Sequence, residues 1–66
     1  MAVARVSEIR ASSPDGFQEA VIEGLKRATK TLRGITGVEV LAKRVKVTGG
    51  KIVEYRVDMK LVFVLE

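Results

Sequence analysis

From Ile52 to Leu65 apolar residues recur at every second position, a run that dictates one long strand. Val53, Tyr55, Val57, Met59, Leu61, Phe63 and Leu65 share one face, while Glu54, Arg56, Asp58 and Lys60 share the other. At Val62 and Val64 the second face turns apolar as well, so the end of this strand must be covered on both sides. A strand that apolar belongs at the centre of a sheet, and the rest of the chain has to supply its neighbours.

The neighbours are readable. Val3 to Ile9 reads as a first strand, with Val3, Val6 and Ile9 apolar among Arg5, Ser7 and Glu8. Ala11-Ser12-Ser13-Pro14-Asp15-Gly16 is rich in turn and cap residues, and offers two helix starts. Either Ser13 is the N-cap with Pro14 at N1, or Gly16 is the N-cap with Glu19 at N3. From Phe17 the period changes to that of a helix: Phe17, Val21, Leu25, Ala28 and Leu32 form one face. Lys26, Arg27, Lys30 and Arg33 suit the negative end of the helix dipole, and Gly34 reads as the residue that ends the helix. Val38 to Val47 is a second β-rich run, and Gly49-Gly50 is a hairpin signal between it and the long strand.

The order is therefore β-α-β-β, an α+β fold in one domain spanning residues 1–66. A strand–helix–strand crossover sets the first two strands parallel, and the hairpin makes the third antiparallel to the second. The long strand then lies between them. The expectation is a three-stranded antiparallel sheet of order 1-3-2 wrapped on one helix, with nothing in the chain to cover the other sheet face. Ala20 and Gly24 form a small-residue strip beside the main helical stripe, a further surface in want of cover.

Composition narrows the function. The chain has 66 residues, no cysteine, no histidine and no tryptophan, which excludes disulfide staples, thiolate or imidazole metal sites and nearly all nucleophile–base pairs. Ordering the chain costs on the order of 100 kcal/mol at ~1.5 kcal/mol per residue. Burial of ~6,300 Å², about 60% of it apolar, returns ~95 kcal/mol. The two nearly cancel, so self-association is the expected support. No run approaches a membrane span and no signal peptide opens the sequence, which gives a cytoplasmic, non-enzymatic protein as the expectation.

Several segments together resemble the dodecins, small flavin-binding proteins of β-α-β-β order that assemble as hollow twelve-subunit shells. The likeness runs through Val3-Ala4-Arg5-Val6-Ser7-Glu8-Ile9, Ser12-Ser13-Pro14 and Phe17-Gln18-Glu19-Ala20-Val21. It continues in Ala28-Thr29-Lys30-Thr31-Leu32-Arg33, in Gly50-Lys51-Ile52-Val53-Glu54-Tyr55-Arg56-Val57 and in the closing Phe63-Val64-Leu65-Glu66. The resemblance implies a homododecamer that stores or sequesters a small ligand, a flavin such as FMN or riboflavin. It also implies a tryptophan at the start of the second strand, stacked on flavin, and a glutamine in the third strand at the flavin's polar edge. Here Gly37 and Arg56 hold those positions, while Arg44 matches a basic position near the site. With the stacking platform gone, flavin affinity is expected to be weak or absent.

Two other readings compete. Asp15, Glu19 and Glu23 stand at the start of the helix; repeated on a threefold axis they would make a ring for calcium or magnesium, although helix-dipole complementarity also explains them. The net charge of +4 and the basic sets Lys26, Arg27, Lys30, Arg33 and Lys43, Arg44, Lys46, Lys51 suit nucleic acid. No aromatic residues interleave them for base stacking, so a solvated basic face is the simpler account. Tyr55 is a lone phenol on the apolar face of its strand, and nothing in the chain organises a base for catalysis.

Overall fold

The computed structural model describes residues 3–65. Its elements are β1 (Val3–Ser13), α1 (Phe17–Ala28), β2 (Ile35–Thr48) and β3 (Lys51–Leu65). The sheet order is β1-β3-β2, and β3 is antiparallel to both neighbours. The expected topology is therefore the observed one. Gly49 and Gly50 both take positive φ, 60° and 75°, which matches the twist of a two-residue hairpin turn and which side chains resist. No helix among the described residues is long and apolar enough to cross a membrane.

The alternation along β3 sorts as its sequence demands. Val57, Met59, Leu61 and Phe63 are buried beneath the helix side of the sheet. Ile9 and Ala11 of β1 lie opposite Met59 and Val57 and join the same core. At the hairpin side of the core, Phe17 meets Tyr55 edge-on, with ring centroids 5.1 Å apart, and the Lys43 ammonium sits 5.5 Å from the Phe17 centroid.

Three details differ from the sequence reading. First, β1 continues through Ser13, so Ala11-Ser12-Ser13 is strand; Gly16 is the N-cap, the second of the two starts weighed above. Ser13 is buried, and its hydroxyl accepts a hydrogen bond from the Asp15 amide at 3.0 Å, closing the turn into the helix. Second, the helix ends at Ala28 instead of running to Arg33, and Gly34 is not its cap. The Lys30 and Thr31 amides bond back to Arg27 and Ala28, three residues earlier, which tightens the last turn. The Thr29 hydroxyl donates to the Lys26 carbonyl at 2.8 Å and that of Thr31 to the Ala28 carbonyl at 3.4 Å, the local bonding by which threonine competes with a helix. Gly34, at φ 75°, instead turns the chain into β2, and its carbonyl accepts from the Val64 amide.

Third, the strip Ala20–Gly24–Ala28 is the line of closest approach between helix and sheet, not a second surface. All three are buried, while Phe17, Val21 and Leu25 flank the line half-buried. The smallest side chains lie where the backbones come nearest. A Cβ built on Gly24 stands 2.8 Å from the Ala11 Cβ and 2.5 Å from the Met59 Cε. The methionine end can swing aside; the Ala11 methyl is fixed to its strand. Gly24→Val is therefore expected to lower stability by about 1–3 kcal/mol through overpacking, read as a fall in the melting temperature.

Candidate functional site

The face of the sheet away from the helix is divided in two. At one end Ala4 and Val6 of β1 lie opposite Val64 and Val62, and Gly37 of β2 lies opposite Val62. This end is apolar, with Val6 half exposed to water. At the other end Arg10 and Ser12 of β1, Arg44 and Lys46 of β2, and Glu54, Arg56 and Asp58 of β3 converge, because register makes them cross-strand neighbours.

Asp58 organises the charged end. Its carboxylate, 18% exposed, accepts the Arg44 Nη2 at 3.0 Å from one side and the Arg10 Nε at 3.3 Å from the other. Arg56 pairs with Glu54 at 3.3 Å, two residues along the same strand. The Arg56 guanidinium, with a hydrogen bond from Ser12, holds the Glu54 carboxyl below its ordinary range, so it stays ionised at neutral pH. A depression of about 290 Å³ opens among Arg10, Ser12, Arg44, Glu54, Arg56 and Asp58.

The structure thus brings together two of the three residues expected at a ligand site. Arg44 and Arg56 are direct Cα partners. Gly37 is on the same face but six residues up β3, about 20 Å at ~3.3 Å per residue. Within one chain that spacing is too long for one small ring system to touch both Gly37 and Arg56. Sequence reasoning passed over Arg10 and Asp58. Asp58 was visible as a charge on the polar face of its strand, but its role depends on register with both neighbours.

The acidic trio stands apart from this site. Asp15, Glu19 and Glu23 line a shallow depression of about 390 Å³ beside the helix start. Glu19 folds over Gly16, its carboxylate 2.5 Å from where a Cβ would be, and Glu23 pairs with Arg27 at 3.3 Å. Among the described residues, no three acidic side chains are gathered closely enough to hold a metal ion. Within one chain, then, these residues make no cation site.

An α+β chain with one helix on one face of an open three-stranded sheet, and a bare face carrying a charged depression, defines the class. The sequence profile described as Dodecin matches residues 3–66. The structure is similar to that of dodecin from Streptomyces coelicolor, with 37% identity and a TM-score of 0.94 over 98% of this chain and 93% of that one. It is similar also to dodecin from Streptomyces davaonensis, with 34% identity and a TM-score of 0.93 over 98% and 96% of the two chains. The calcium-chelating antigen calcium dodecin of Mycobacterium tuberculosis is 28% identical, with a TM-score of 0.83 over 97% and 91%. Comparison with curated proteins gives no match. The chain belongs to the dodecin family.

Proposed function

We propose that the protein is a non-enzymatic dodecin whose copies assemble into a hollow homododecamer that binds a small ligand for storage or sequestration. The observation that carries this reading is the apolar sheet surface that one helix leaves uncovered: Val6 on the bare face, and Val3, Val40, Val45 and Val53 on the helix side beyond the helix's reach. Apolar residues stay exposed along the sheet, among them Val3, Val6, Val40, Leu41, Val45, Val47 and Val53, more than a chain with so small a core tolerates in water. Copies of the chain packed against one another would cover that surface.

In this reading the ligand site lies between subunits, with Gly37 of one copy and Arg44 and Arg56 of another beside it. Riboflavin and FMN are the flavins to test, and affinity for them is weak because Gly37 supplies no ring to stack on. A second reading is favoured by the likeness to the calcium-chelating relative. In it Asp15, Glu19 and Glu23 of three copies meet on a symmetry axis and hold calcium or magnesium through water.

A native mass spectrum of the purified protein, with nothing added, tests both. The expected result is a twelve-subunit mass, and any mass in excess of it weighs the ligand as flavin or as metal. A monomer or dimer would overturn the shell.

A further inference from the structure

We propose that the tip of the β2–β3 hairpin is an arm that seats on the helix start of a second copy of this chain, where Lys46 and Lys51 meet Asp15 and Glu19. The contact rests on the proposed assembly and names one of the surfaces that would hold it together.

The arm exists because β1 stops early. Its last residue, Ser13, lies opposite Tyr55, so beyond Tyr55 only β2 and β3 remain, and residues 46–54 form a two-stranded projection. It reaches about 15 Å further, at ~3.3 Å per residue. The subunit is accordingly long and thin, 52 × 20 × 13 Å. Its radius of gyration, 13.6 Å, exceeds the ~11 Å of a compact chain of this length. A two-stranded ribbon standing alone in water is only marginally stable. This one is apolar as well, with Val47, Ile52 and Val53 about half exposed. Lys46 and Lys51 are exposed among them, and among the described residues neither forms an ion pair.

The helix start is the counterpart of the arm. Pro14, Asp15, Glu19 and Ile22 line the depression of about 390 Å³ there, and Ile22 is more than half exposed. Glu23 is already paired with Arg27, whereas Asp15 and Glu19 form no ion pair among the described residues. Their two charges outweigh the roughly half positive charge of the helix N-terminus, so the surface is net acidic. Two free carboxylates beside an exposed isoleucine thus match two free ammonium groups beside exposed Val47 and Ile52.

One chain cannot make this contact with itself. Phe17 holds the helix start against Tyr55 at the root of the arm, ring centroids 5.1 Å apart, while the tip runs away from it. The contact is therefore heterologous: each copy gives an arm and receives one, and a finite shell requires such contacts to close in rings. In a ring of this kind the lysines bring to the helix start the positive charge that calcium or magnesium brings in the metal reading.

The experiment records native mass for the wild type, for Lys46→Glu with Lys51→Glu, for Asp15→Lys with Glu19→Lys, and for all four changes combined. Circular dichroism follows the fold of each. Both one-sided variants are expected to lose the wild-type mass, and the combination to regain it. Loss without rescue, loss in one variant only, or no loss in either overturns the contact. The neutral pair Asp15→Asn with Glu19→Gln sets no positive charge against the helix dipole; it should raise the protein concentration needed for assembly about tenfold, and no change there counts against the contact. EDTA is expected to leave the wild-type mass unchanged. Dissociation in EDTA would assign the carboxylates to a metal ion and overturn the contact as well. Rescue in a protein of fewer than twelve copies sinks the shell reading alone. A dodecamer indifferent to every reversal sinks the contact alone, and a monomeric wild type sinks both.

Discussion

Met59→Ala is expected to destabilise the subunit by about 2–5 kcal/mol, the range for removing most of a fully buried large side chain. Met59 is completely buried on the central strand, with Ile9 and Val40 as its Cα partners and Gly24 of the helix above it. It touches every layer of the fold, so the space left behind cannot be filled by the collapse of one neighbour. A chain of this size has a total stability of only ~3–10 kcal/mol, at ~0.05–0.15 kcal/mol per residue. The variant therefore lies near the threshold of folding. Thermal melting followed by circular dichroism should show a drop of about 10 °C or more. Met59→Leu, which conserves volume, should cost less than ~1.5 kcal/mol. Val53→Ala, at a position 44% exposed, should stay within about 0.5 kcal/mol of the parent. Equal melting of Met59→Ala and Val53→Ala would show that the core does not run through Met59.

The same strand shows how far the sequence carries. Its strict alternation places Val57, Met59, Leu61 and Phe63 in the core, because a period of two leaves one register that buries them. Strand order followed from chirality and the Gly49-Gly50 hairpin. The helix was harder. A stripe of large apolar residues points to Phe17, Val21 and Leu25 as its inner face, yet the buried line is Ala20, Gly24 and Ala28. Hydrophobicity measures what a residue gains on burial, and says nothing of how near two backbones can come. The early helix end escaped for a related reason. Ala28 and Leu32 continue the apolar periodicity past the helix end, while the hydroxyls of Thr29 and Thr31 bond back to the last turn.

The site divides along similar lines. The likeness to a family points to Arg44 and Arg56, and the structure makes them cross-strand partners. It does not point to Arg10 and Asp58, since a charge on a polar strand face gains a role only once its cross-strand partners are known. Gly37 and the acidic residues of the helix start belong to questions about several copies of the chain. No reading of one chain brings Gly37 to Arg56.

Gly37→Trp is the substitution with the largest expected gain: riboflavin affinity should rise ten- to a hundredfold, the equivalent of about 1.4–2.8 kcal/mol. Nothing in the backbone asks for glycine there, since left-handed φ among the glycines is confined to Gly34, Gly49 and Gly50. The space is open as well: a Cβ at Gly37 would meet only the Val62 Cβ, at an ordinary 3.9 Å. An aromatic residue in an extended strand also agrees with β propensity, so folding should not suffer. The indole would stand at the apolar end of the bare sheet face, where it can offer a flat surface to an isoalloxazine. Offset stacking contributes ~0.5–1.5 kcal/mol beyond area burial, and the buried ring surface adds to it. Quenching of riboflavin fluorescence on titration measures the change. Gly37→Ala is the control: it adds a Cβ without a ring and should leave affinity at the parental value. An unchanged affinity in Gly37→Trp would remove Gly37 from the ligand site. Combining it with Arg56→Gln carries the test further. Residues about 20 Å apart on one chain would have additive effects if no ligand joined them. A coupling above ~0.5 kcal/mol between them would mean that one flavin touches both, and that they reach it from different subunits.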